Sequence, residues 1–170
     1  RFPTCRDIAN ADVATVLDCI GVAGLGRKRS EQVVEIATRL IRDFGDHPET
    51  ELRSMLPSEV YEYLTSLPGV GPKSAFCVMM WSLNIDVLPV DVNVQRIAAR
   101  LGVIPVGLKH YQAQRRFPGY VPDGRSRELH TVFMVHGREI CKPRRPKCDE
   151  CVVINLCQTG QESATNRRSQ

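Results

Sequence analysis

Apolar residues recur at helical spacing along most of this chain. Residues 7–20 predict a first helix, with Ile8, Ala11, Val16, Leu17 and Ile20 on one side. The glycine-rich stretch Gly21-Val22-Ala23-Gly24-Leu25-Gly26 predicts a loop. Arg27, Lys28 and Arg29 then lead into an amphipathic helix, with Ser30 placed to cap it. Val33, Val34, Ile36, Ala37, Leu40 and Ile41 form its inner stripe, and Gly45 ends it. A short acidic helix follows at 49–55, and Ser58 is placed to cap the next. Val60, Leu64 and Leu67 lie before a turn, and Ala75, Val78, Met79 and Leu83 after it. Asp91 is placed to cap a helix faced by Val94, Ile97, Ala98 and Leu101. Residues 105–124, broken by Pro and Gly, read as an irregular connection with one turn of helix. A last long helix is expected at 126–140, with Leu129, Val132, Phe133 and Val135 apolar, and a disordered polar tail at 161–170. No pair of β-strands is expected, so the pattern is all-α.

The turn between two of these helices is Leu67-Pro68-Gly69-Val70-Gly71-Pro72-Lys73-Ser74-Ala75, the pattern of a helix–hairpin–helix. Glycines there permit backbone angles that other residues resist. They also leave amides bare at the positive start of the second helix, where a phosphate is held well. Lys73 falls in the first turn of that helix, an unfavourable place for a merely structural ammonium.

The net charge of +4 permits a polyanionic partner without demanding one. No apolar run is long enough to cross a bilayer as a helix. With Arg at position 1, the chain reads as a fragment or a processed form. Seven cysteines are present, and four of them, Cys141, Cys148, Cys151 and Cys157, fall within seventeen residues with gaps of six, two and five. That clustering points to metal in a reducing interior: cytoplasm or nucleoid, or a nucleus in a eukaryote. Four thiolates in tight loops suit zinc or an iron–sulfur cluster. The single Cys-x-x-Cys hook tilts the choice toward the cluster, with two disulfides the weakest alternative. Cys5, Cys19 and Cys77 read as buried thiols. Between the first two clustered cysteines, Lys142-Pro143-Arg144-Arg145-Pro146-Lys147 reads as a phosphate-binding loop shaped by the metal site.

Taken in order, these residues resemble the endonuclease III family of DNA base-excision glycosylases. The hairpin matches. Asp91, eighteen residues after Lys73, matches within Val90-Asp91-Val92-Asn93-Val94-Gln95-Arg96-Ile97, and the cysteines have the family spacing, preceded by His136-Gly137-Arg138. The resemblance covers residues 15–160. It implies an all-α fold, with a helical barrel domain at 1–125 containing the hairpin at 67–73, and a small iron–sulfur domain at 126–160. It implies Lys73 as amine nucleophile, Asp91 as catalytic carboxylate, and a 4Fe–4S cluster on Cys141, Cys148, Cys151 and Cys157. DNA contacts are then expected from Leu67, Gly69, Val70 and Gly71, from Lys142, Arg144, Arg145 and Lys147, and from Leu25 as a wedge between bases. The implied partner is double-stranded DNA with a damaged base or abasic site, bound by a monomer.

The sequence also departs from the family. A segment that relatives carry upstream of residue 1 is not present in this sequence. Asn93 stands where bacterial oxidised-pyrimidine enzymes have histidine. With Glu62-Tyr63-Leu64 and Cys77-Val78, the Asn93 motif also looks like the plant 5-methylcytosine glycosylases. Lys73 argues against the adenine-excising relatives. Excision of oxidised pyrimidines, with strand scission at the abasic site, is the leading expectation. The alternatives are a 5-methylcytosine or mismatched-thymine glycosylase, and a non-catalytic DNA-binding module.

Overall fold

Three prolines open three successive helices of the first half of the chain. In the computed structural model, which describes residues 1–161, α1 spans Cys5–Ala9, α2 Val13–Ile20, α3 Arg27–Phe44, α4 Pro48–Ser54, α5 Pro57–Ser66 and α6 Pro72–Trp81. Then come α7 at Val92–Arg100, α8 at His110–Arg116 and α9 at Ser126–Glu139, and short 3₁₀ turns join or follow them. Among the described residues there is no strand. The helix expected over 7–20 is in fact two. Asp12 interrupts it by accepting from the amides of Ala14 and Thr15, starting a new helix where the apolar repeat runs on. Residues 105–124 hold more helix than one turn, since α8 is followed by a 3₁₀ turn at Phe117–Tyr120. The tail expected at 161–170 lies, past its first residue, outside the described residues.

Neither serine placed to cap a helix does so. α3 begins at Gly26, a turn earlier than Ser30, and Ser30 is fully buried inside it with no partner for its hydroxyl among the described residues. α5 begins at Leu56, with Pro57 at its first position, where a missing N–H costs nothing. There Glu59 reaches back to accept from the Leu56 amide at 2.8 Å.

The chain forms two compact units that meet at 83/84; the 125/126 boundary expected from sequence is one between family domains and falls inside the second unit. The first unit, Arg1–Leu83, packs α1, α2 and α4 on α3, and α5 on α6. The expected stripe of α3 is there, but only Ala37 in it is fully buried. Deeper burial lies in α5 and α6, at Val60, Leu64, Ala75, Met79 and Met80. The second unit begins at Asn84. α9 belongs to it because α7 packs along α9. Its core is Leu88, Val90, Val94, Ala98, Ile104, Ala113 and Phe117, with Phe133 stacked on Phe117 at a centroid distance of 5.9 Å. Two of the four apolar residues read on α9, Val132 and Val135, are exposed. The buried positions there are Ser126, His130 and Gly137.

Candidate functional site

In the first unit, the hairpin is set by its own turn and by α3. The Val70 amide donates to the Leu67 carbonyl at 3.2 Å. Gly69 has φ +72°, the left-handed region, and a Cβ there would lie 2.4 Å from the Gln32 side chain. Arg29 donates to the Gly69 carbonyl at 3.3 Å, and Arg39 to the Ser66 carbonyl at 3.4 Å. Gly71 is different: its backbone is extended, at φ −92° and ψ 174°, and a Cβ would meet nothing within 4 Å. Nothing inside the unit therefore requires a glycine at 71. Gly71 caps α6 with no side chain, and Pro72 has no N–H to offer. The amides of Lys73 and Ser74 find no acceptor among the described residues.

Lys73 is exposed in the first turn of α6, and no hydrogen bond or ion pair reaches it among the described residues. Val70 is half-buried and Gly69 and Gly71 are exposed, whereas the side chain of Leu67 is buried and serves the turn. Leu25 is 41% exposed and lines an open depression with Gly24, Gly26, Lys28, Arg29 and Gln32.

In the second unit, Asp91 caps α7. Its Oδ1 accepts from both Asn93 and Val94 amides, each at 2.8 Å. No hydrogen bond to Oδ2 is found among the described residues. The carboxylate is half-buried, with one oxygen committed to the helix and one spare.

The four clustered cysteines are free, half-buried thiols that line one cavity with Arg100 and His136. Burial pushes the Cys148 thiol up, and its neighbours Cys141, Cys157 and Cys151 push it the same way. Burial alone holds the His136 imidazole below its ordinary value. Arg100 donates to the Cys141 sulfur at 3.2 Å. The four sulfurs line that one cavity together. Four thiolates are a donor set that fits an iron–sulfur cluster. Cys5, Cys19 and Cys77, expected to be buried, are half-buried.

The basic loop is drawn inward by its backbone. Lys147 closes it by donating its amide to the Ile140 carbonyl at 3.0 Å. Arg100 donates to the carbonyls of Lys142 at 2.8 Å and Pro143 at 3.1 Å, and Arg96 to those of Cys141 and Gly137. The side chains of Lys142, Arg144 and Arg145 are exposed, while Lys147 pairs with Glu150. Arg96 and Arg100 were not picked out from sequence. Their spacing of four, on a helix ahead of the cysteines, is the signal that marks them.

Residues 1–118 match the family profile described as "HhH-GPD superfamily base excision DNA repair protein". The chain belongs to that superfamily. Residues 141–157 of this HhH-GPD chain also match the "Iron-sulfur binding domain of endonuclease III". Over 151 residues it is 29% identical to "Endonuclease III" of Sulfolobus acidocaldarius, covering 89% of this chain and 65% of that relative. It is 30% identical over 170 residues to "DNA glycosylase/AP lyase ROS1" of Arabidopsis thaliana, covering 90% of this chain and 12% of that one. In fold it resembles a non-covalent endonuclease III–DNA complex, with a TM-score of 0.79 at 22% identity, covering 96% of this chain and 72% of that one. The HhH-GPD chain thus spans about two thirds of its endonuclease III relative.

Proposed function

We propose that this chain is the catalytic part of a DNA glycosylase with abasic-site lyase activity, acting on oxidised pyrimidines in duplex DNA. The observation that carries the reading is the start of α6, an uncapped helix end with bare amides and an exposed lysine in its first turn. A phosphate oxygen accepts from such amides. The amine of Lys73 attacks C1′ of the damaged nucleotide as the base leaves with the electrons of the glycosidic bond. The carboxylate of Asp91 stabilises the positive charge that builds on the sugar and takes a proton from the amine. The C1′–O4′ bond then opens, its oxygen taking a proton, and the Schiff base left at C1′ makes the C2′ proton acidic. Its removal expels the 3′ phosphate and cuts the strand.

Because a base inside a duplex is out of reach, the nucleotide must swing out, at about a few kcal/mol of lost stacking. Contacts from Gly69, Val70 and Gly71, from Lys142, Arg144, Arg145 and Lys147, and insertion of Leu25 would offset that. Cys141, Cys148, Cys151 and Cys157 would hold a 4Fe–4S cluster, which when bound supplies a rigid anchor for the 142–147 loop. The protein acts as a monomer in a reducing interior.

Borohydride reduction tests the reading. An oxidised-pyrimidine duplex is expected to yield a covalent protein–DNA adduct, and Lys73→Gln to yield none. Full trapping in Lys73→Gln would remove the lysine from its role. Asn93 favours a second substrate reading, 5-methylcytosine or mismatched thymine. A panel of duplexes, each with one altered base, separates the two.

A further inference from the structure

Leu88, Pro89 and Val90, directly before Asp91, belong to no helix or strand, yet all three are buried. Buried backbone groups need partners, and no regular ladder supplies them here. Two side chains do. From α8, the Gln114 carboxamide donates to the Leu88 carbonyl at 2.8 Å and accepts from the Val90 amide at 2.8 Å. One side chain thus meets both groups as a neighbouring strand would. From α9, buried His130 places Nδ1 2.9 Å from the Pro89 carbonyl oxygen. A carbonyl accepts and does not donate, so Nδ1 carries a hydrogen.

The next residue is Asp91. Ahead of it, the α7 amides hold Oδ1. Behind it, Gln114 and His130 hold the backbone of the three preceding residues. We infer that Gln114 and His130 are positioning residues for Asp91, setting where its spare oxygen stands. Neither is needed as a contact to DNA. The inference rests on the reading of Asp91 as the catalytic carboxylate. Its physical basis is that a charge-stabilising group works only within narrow limits of place and angle, and small shifts from remote sites cost about 10²-fold in rate. Apolar side chains would fill the same space beside Ala113 and Phe117 but would leave three backbone groups unmet.

The test uses the cluster-loaded protein. Single-turnover excision, affinity for an uncleavable abasic-analogue duplex, melting temperature and amide exchange at Asn93 and Val94 are measured. Gln114→Met and His130→Leu are expected to slow excision by about 10- to 100-fold, with affinity held within about twofold and faster exchange at both amides. His130→Asn, which puts an amide N–H in place of Nδ1–H, is expected to recover most of the rate. In an Asp91→Asn background, Gln114→Met is expected to cause no further loss, because the two act as one unit. A merely structural role would lower the two backgrounds by the same factor, and that result overturns the inference. So does a folded Gln114→Met or His130→Leu protein with its rate unchanged. If Gln114→Met fails to fold, the comparison of His130→Asn with His130→Leu decides: equal rates overturn the inference. Full activity in Asp91→Asn alone overturns the catalytic reading of Asp91 itself, and with it this inference.

Discussion

Two helices of this protein begin in opposite ways. α6 starts at Gly71 with no side chain over its first amides, while α7 starts at Asp91, whose carboxylate takes two of them. Both follow a loop containing proline. The uncapped start spends nothing on itself and offers its donors outward, which suits an anion supplied by a ligand. The capped start uses half of a carboxylate to fix the other half in place. One end is built to receive negative charge and the other to present it.

The largest expected effect comes from separating the cap that Asp91 makes from the catalytic role proposed for it. Asparagine caps helices about as well as aspartate, so Asp91→Asn should keep stability within about 0.5 kcal/mol. Its excision rate should fall by about 10²- to 10⁴-fold, read in single turnover beside a thermal melt. An unchanged rate would reduce Asp91 to a cap. Next, Gly71→Asp would give α6 the cap that α7 has, in a backbone already extended and with open space for the side chain. Stability should rise by a few tenths of a kcal/mol. Duplex affinity should drop about tenfold, with a shallower salt dependence. If affinity holds, phosphate does not sit at that helix end.

The smallest effect concerns the packing of α5 on α3. Tyr63 of α5 donates to Asp43 of α3 at 2.9 Å and packs edge-on against Phe44. Burial first, and then the bond to Asp43, push its phenol up to about 12. The folded value lies above the ordinary value near 10, so this contribution is complete below pH 10 and lost as pH rises toward 12. Tyr63→Phe should cost about 1 kcal/mol at neutral pH. In melts across the alkaline range, the gap to the parent protein should close between pH 10 and 12. A gap that stays constant would mean the phenol contributes by packing alone.

Much of this arrangement was legible in the sequence because it is local. The hairpin glycines, the cap at Asp91 and the cysteine spacing each lie within a few residues of the atoms they control. Periodicity gave the helices but not their faces: Val132 and Val135 fit an apolar stripe on α9, yet both are exposed. Local caps misled where two candidates competed. Pro57 and Gly26 start helices ahead of Ser58 and Ser30. Hidden altogether were Gln114 and His130, whose partners are main-chain carbonyls and an amide twenty-four to forty-one residues away. A side chain that serves a distant backbone leaves no periodic trace.

Pro48, Pro57 and Pro72 each stand at the first position of a helix, heading α4, α5 and α6 in succession. Helices of seven to ten residues do not persist alone in water. A ring that presets one torsion at each start narrows the range of shapes open to the denatured chain, so less disorder is surrendered when the three form. Part of the durability of the hairpin region therefore resides in the molecule before it folds.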